Sequence, residues 1–181
     1  YPMTVPTAYN SRGQAWHASG ELEKAIEDYS ASITLNPFDP FPYNNRALIY
    51  EDMGRDDAAI EDYTKAISLD AAFFNARNNR GIAFGKSGRL EESVEDFTAA
   101  LRINPASSSA YLNRGFAYMG MERPIDALAD FTKADALSPG NPVVRYNLGL
   151  VYLKLGEREK AQKLFREAAK GGVEEARQYL Q

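Results

Sequence analysis

Residues 73–108 read FFNARNNRGIAFGKSGRLEESVEDFTAALRINPASS, and this stretch decides the fold. Two short amphipathic segments flank a turn at Gly88, and Pro105 stops the second. With Phe74 as position 1, small residues stand at positions 8, 20 and 27 (Gly81, Ser93, Ala100) and aromatics at 11 and 24 (Phe84, Phe97). A shift of 34 residues in either direction restores the pattern. Position 8 reads Gly13, Ala47, Gly81, Gly115, Gly149, and position 24 reads Tyr29, Tyr63, Phe97, Phe131, Phe165. Five units follow without an insertion or deletion, at 6–39, 40–73, 74–107, 108–141 and 142–175.

The columns have a packing reason. Small residues let two helix backbones approach, and the aromatics fill the space beside them. One helix pair cannot bury its apolar face alone, so neighbouring pairs must stack. A 34-residue period with this small/aromatic/proline pattern resembles the tetratricopeptide repeat, over nearly the whole chain. The resemblance implies an all-α fold: a right-handed α-solenoid of five helix pairs with a concave groove, in one domain over 6–181 that ends in a short capping helix over 174–181. It implies no particular chemistry. Residues 1–5 read as a disordered lead or an expression remnant, and the chain opens on Tyr1-Pro2-Met3 as a mature form or an excised fragment would.

Composition narrows the function classes. The chain has 181 residues and a net charge of −4, with acids and bases interspersed. That argues against an electrostatic footprint for nucleic acid. No segment has the apolar length for membrane insertion. Cysteine is absent and His17 is the single histidine, so neither thiol chemistry nor a histidine cluster is available. No set of residues has metal-ligand spacing. Gly81 to Ser87 resembles a phosphate loop, but three residues separate Gly81 from Gly85 where four are needed, and the run falls inside an expected helix. The reading is therefore no enzyme, no cofactor and no metal. Cytoplasmic, periplasmic and secreted settings stay open, with cytoplasmic slightly ahead.

Asp39-Pro40 and Asn141-Pro142 read as capped helix starts, with Ser107 or Ser108 serving the fourth unit. Two departures stand out. Ala71 replaces the expected proline at position 32, where Asp70 and packing should still hold the turn with a less defined boundary. At Met119-Gly120-Met121-Glu122-Arg123-Pro124 the glycine comes two positions early, which predicts an altered turn shape.

Positions 7 and 23 are correlated. Arg12, Arg46, Arg80 and Arg114 accompany Asp28, Asp62, Asp96 and Asp130, whereas the fifth unit carries Leu148 with Leu164. This predicts an Arg–Asp pair in each of four helix pairs and an apolar contact in the last. The role is structural before it is ligand binding.

Under the resemblance, positions 2, 5, 6, 9, 12 and 13 of each first helix face the groove. Asn10, Asn44 and Asn78 occupy position 5, and Asn45, Asn79, Asn113 and Asn147 position 6. An amide donates and accepts at once, so a column of them suits the backbone of an extended peptide. The competing reading is that these asparagines serve local backbone groups. The C-terminal groove turns apolar with Leu112, Phe116, Met119, Tyr146 and Leu150, joined by Val143 and Leu153. The tail should shield Val143 to Leu153 but not Phe116 and Met119, and an uncovered patch marks an interaction site. Some family members clamp the C-terminal carboxylate of heat-shock chaperones with basic residues. Here the matching positions hold Asn10, Gln14, Asn75 and Asn79, which argues against that clamp. The leading reading is a non-enzymatic adaptor for an extended segment of a protein partner. The alternatives are a self-assembling homo-oligomeric scaffold and the targeting portion of a larger enzyme.

Overall fold

A computed structural model describes residues 5–180. Apart from Val5, the expected lead lies outside the described residues. The chain divides into two compact units, residues 1–89 and 90–181. The first holds α1 (Val5–Ala18), α2 (Leu22–Leu35), α3 (Pro40–Asp52), α4 (Asp56–Leu69) and α5 (Phe74–Lys86). The second holds α6 (Leu90–Ile103), α7 (Ser108–Gly120), α8 (Pro124–Leu137), α9 (Pro142–Lys154), α10 (Arg158–Lys170) and a 3-10 segment, Glu174–Tyr179. No strand occurs among the described residues.

Within the first unit α1 packs on α2 and α3 on α4, while α2 meets α3 and α4 meets α5. The columns read from the sequence build the core. Ala47, Ala59, Tyr63, Ala66 and Ala76 are fully buried and form one cluster. In the second unit Ala127, Phe131, Ala134, Val144 and Val151 do the same. Each buried aromatic contributes roughly 1.5–3 kcal/mol by leaving water. The small column at position 8 is needed for contact: a Cβ on Gly149 would stand 2.7 Å from Phe165 Cε1.

Caps end the loops as the residue types dictate. Asp39 accepts from the Phe41 N–H, Ser107 from Ala110, and Asn141 from Val143. The unusual second junction keeps its boundary. Asp70 Oδ1 accepts from the Ala72 N–H at 2.9 Å, as Asn104 Oδ1 does from Ala106 at 3.1 Å. The loop without proline is thus held by the same side-chain turn.

The turn at residues 119–124 departs from expectation by not changing shape. Arg123 N donates to Tyr118 O at 2.8 Å, matching Arg89 to Phe84 at 2.9 Å in the first unit. Glu122 takes the left-handed conformation, φ 56°, that Gly88 takes at φ 77°. The turn's hydrogen bonds therefore outweigh the strain of a side chain there, roughly 1–2 kcal/mol. Gly120 instead packs closely on Leu90, since a Cβ on it would stand 2.9 Å from Leu90 Cδ1 and the leucine tip would have to shift.

The tail closes as a 3-10 segment rather than an α-helix, as short pieces often do. Ala176 is fully buried in a cluster with Ala161, Phe165 and Ala168. The Tyr179 ring stacks on Phe165 at 4.4 Å with 14° between planes.

Candidate peptide-binding faces and the pairs beneath them

The arginine column is anchored from both sides. Arg46 Nε and Nη2 donate to Asp62 at 2.7 and 2.8 Å, and Arg114 donates to Asp130 at the same distances. Arg12 reaches Asp28 at 2.6 and 2.7 Å. Such forked contacts are geometrically specific as well as charged. Hydrogen bonding to Asp28 raises the Arg12 pKa, and the same bond holds the Asp28 carboxyl below its ordinary value. Bonds to Asp62 and Asp130 likewise raise Arg46 and Arg114. Arg80 belongs to the first unit and Asp96, itself buried, to the second, so their pairing stays an expectation.

A third contact was not anticipated from the sequence. The remaining guanidinium nitrogen reaches a hydroxyl at position 25 of the preceding repeat. Arg46 Nη1 donates to Ser30 Oγ, Arg80 Nη1 to Thr64 Oγ1 and Arg114 Nη1 to Thr98 Oγ1, each at 2.9 Å. The guanidiniums also lie near rings on their own helices, Arg46 between Tyr43 and Tyr50 and Arg114 between Tyr111 and Tyr118. Arg46 and Arg114 thus each tie their own helix pair and the repeat before it. The signal was available in the column Ser30, Thr64, Thr98, Thr132.

The asparagines meet different fates. In the first unit, Asn45 Nδ2 donates to Asn10 Oδ1 at 3.1 Å and Asn44 Nδ2 to Asn45 Oδ1 at 3.3 Å, a short relay of amides from α1 to α3. The Oδ1 atoms of Asn44 and Asn78 are buried without a hydrogen-bond partner. Asn147 is 8% exposed and donates to the Val143 carbonyl of its own helix at 2.7 Å, the local role of the competing reading. Asn79 in α5 and Asn113 in α7 are half-buried, and their amides make no hydrogen bond among the described residues.

Polar groups gather at the C-terminal ends of α1, α3 and α5. Tyr63 donates to Glu51 Oε2 at 2.5 Å, Lys86 Nζ stands 3.0 Å from Glu51 Oε1, and His17 Nε2 stands 2.9 Å from Asp52 Oδ2. Burial and then the Glu51 bond push the Tyr63 hydroxyl pKa far upward. The carboxylates are therefore partnered within the unit. Among the described residues no group of His, Cys, Asp or Glu could hold a metal. No described helix is long and apolar enough to cross a membrane.

In the second unit Phe116 is 43% exposed, its ring meeting Phe131 edge-on at 5.5 Å. Leu112 and Met119 pack into the cluster of Val144 and Leu148. Tyr146 and Leu150 lie against Phe165 and the tail. Val143 and Leu153 stay exposed at 45% and 39%, so the tail covers the middle of that face and not its edges. Phe41 and Phe73 form a ring pair at 5.1 Å in the first unit, with Phe38 beside them in sequence and exposed.

Family models described as tetratricopeptide repeat match residues 118–181 and 40–73, and one described as TPR repeat matches 13–54 and 83–121. Between them they span most of the sequence, and the chain belongs to the tetratricopeptide-repeat family. The fold class is accordingly the all-α repeat solenoid. Solved structures agree on the fold. MamA (residues 41 to the end) from Desulfovibrio magneticus RS-1 is 20% identical with a TM-score of 0.86, over 94% of this chain and 96% of that one. PilF of Pseudomonas aeruginosa is 22% identical with a TM-score of 0.84, over 97% and 87%. YrrB, described as a TPR protein with an unusual peptide-binding site, is 19% identical with a TM-score of 0.80, over 93% and 88%. No curated protein matches the chain. Family and fold together make this a protein–protein interaction scaffold, of a kind that is generally non-enzymatic.

Proposed function

We propose that the protein is an adaptor without catalytic activity that holds an extended segment of a partner on its odd-numbered helices. The observation that carries this is the half-buried Asn113 of the second unit, whose amide makes no hydrogen bond among the described residues, and Asn79 shows the same within the first unit. A half-buried amide with free donor and acceptor matches one peptide group of a strand-like segment. Each bond adds about 1 kcal/mol, and main-chain recognition leaves sequence choice to neighbouring side chains. Phe116 and Met119 supply apolar neighbours near Asn113. The peptide-binding site named for YrrB is consistent with this use of the fold. Asn147 drops out because its amide already serves Val143. A segment selected from a peptide library should lose affinity about tenfold or more with Asn79→Ala and Asn113→Ala combined. Unchanged affinity would defeat the reading.

The exposed Phe116, Val143 and Leu153 favour a second reading, in which that face self-associates. Solution mass across concentration, with Phe116→Glu beside wild type, separates the two. Concentration-dependent mass abolished by the charge supports self-assembly, and a monomer in both supports the adaptor.

A further inference from the structure

The amides of the first unit carry a polarity from helix to helix. Asn45 Nδ2 on α3 donates to Asn10 Oδ1 on α1 at 3.1 Å, and Asn44 Nδ2 donates to Asn45 Oδ1 at 3.3 Å. Each bond fixes which end of the next amide is spent, so the relay leaves Asn44 with its oxygen to place. That oxygen is buried without a hydrogen-bond partner, on a residue only 6% exposed. A buried acceptor without a donor is costly. The repeat supplies a donor to match it. Asn45 follows Asn10 by 35 residues, and Asn79 on α5 follows Asn44 by the same 35. Helix α3 touches α5 as it touches α1. Toward the other end of these helices the rung at that spacing is closed, with Lys86 Nζ 3.0 Å from Glu51 Oε1. The Asn79 amide, half-buried, makes no hydrogen bond among the described residues, so the amide rung is open.

We propose that Asn44 is a positioning residue for the peptide seat, which rests on the adaptor function above. As a segment binds, Asn79 gives one amide hydrogen to Asn44 Oδ1 and so turns its own oxygen to the incoming chain. The seat then takes a backbone N–H of the segment. It admits any residue with that donor and rejects proline, which has none. The direction follows from the relay, because the Asn44 nitrogen already faces Asn45 and only its oxygen is left for Asn79. Asn45 cannot serve the segment in this way, since both ends of its amide are engaged. A side chain locked by a supporting hydrogen bond holds its geometry better than one left to rotate.

The test is an ester scan of a segment selected from a peptide library on the full chain. An α-hydroxy acid replaces each residue in turn, exchanging its N–H for an ester oxygen, and affinity is read by calorimetry. One position should lose about tenfold in wild type, the weight of one hydrogen bond, and lose nothing in Asn79→Ala. Selected segments should carry no proline there. Asn44→Leu fills the same space without the acceptor. It should shrink the ester penalty at that position to about threefold or less, with circular dichroism confirming an unchanged fold. A merely structural role for Asn44 would lower affinity and leave the ester penalty as it was. Independently of that variant, saturating wild type with the segment should bring up a nuclear Overhauser contact between an Asn79 amide proton and the Asn44 side chain. A scan with no sensitive position, proline at the seat, a full ester penalty in Asn44→Leu or no such contact would each overturn the inference. The adaptor reading would survive those results if Asn79→Ala with Asn113→Ala still weakened binding. A chain that selects no segment would overturn both.

Discussion

In the second repeat, positions 7 and 23 hold Arg46 and Asp62, forked together at 2.7 and 2.8 Å with little solvent. In the fifth, Leu148 and Leu164 hold those positions within one apolar cluster. The helix pairs α3–α4 and α9–α10 form around either solution. The contrast teaches that the slot must be matched rather than charged. Two desolvated charges gain little over two packed leucines, whereas one charge left alone is costly.

Asp62→Ala breaks the match most severely. It strands Arg46, whose other side-chain hydrogen bond goes to the Ser30 hydroxyl, and should cost about 3–5 kcal/mol in a denaturant melt. A loss typical of a surface substitution would show that the pair is not coupled to stability. Replacing both residues at once, Arg46→Leu with Asp62→Leu, imports the fifth repeat's solution. It should lie within about 1 kcal/mol of wild type or above it. If the double variant is as unstable as the single one, the slots are not interchangeable. The same change in the first repeat sharpens the point. Asp28→Ala should cost clearly less than Asp62→Ala in a parallel melt, since Arg12 is mostly solvated and water can replace its partner.

Acid should reveal the Asp28 pair. Its folded carboxyl lies below the ordinary value of 3.8, mainly through the Arg12 hydrogen bond. A depressed carboxyl contributes stability that is fully present above its unfolded pKa and is lost as pH falls through the folded one. Wild type should therefore lose stability below about pH 4, and Asp28→Asn should lose less over the same window. Identical acid profiles would remove the pair from the account. The smallest effect concerns the fourth repeat's turn. Glu122→Gly should stabilise by roughly 0.5–1 kcal/mol, as relief of left-handed strain slightly exceeds the added chain entropy. A destabilised variant would mean the Glu122 side chain does something the turn needs.

The fold was legible because the repeat prints itself at fixed columns. Gly149 beneath Phe165 and the buried Tyr63 and Phe131 stand where the pattern puts them. What escaped depends on neighbours in space. Gly120 looked like a displaced turn glycine, but its small size serves Leu90, thirty residues earlier. The turn proper kept its hydrogen bonds and placed Glu122 at positive φ. The hydroxyl column at position 25 was as regular as the arginine column, but its meaning lies between repeats, where spacing within one unit gives no hint. At the candidate site, the asparagine column was readable while the fate of each amide was not. Asn147 and Asn79 occupy the same position, yet one serves a backbone carbonyl and the other is unpartnered.

The most direct test of the central claim follows the side-chain amide resonances of Asn79, Asn113 and Asn147 while a library-selected partner segment is titrated. The account predicts shifts at Asn79 and Asn113 that saturate together with binding, and none at Asn147. Saturating binding that leaves Asn79 and Asn113 unmoved would contradict it.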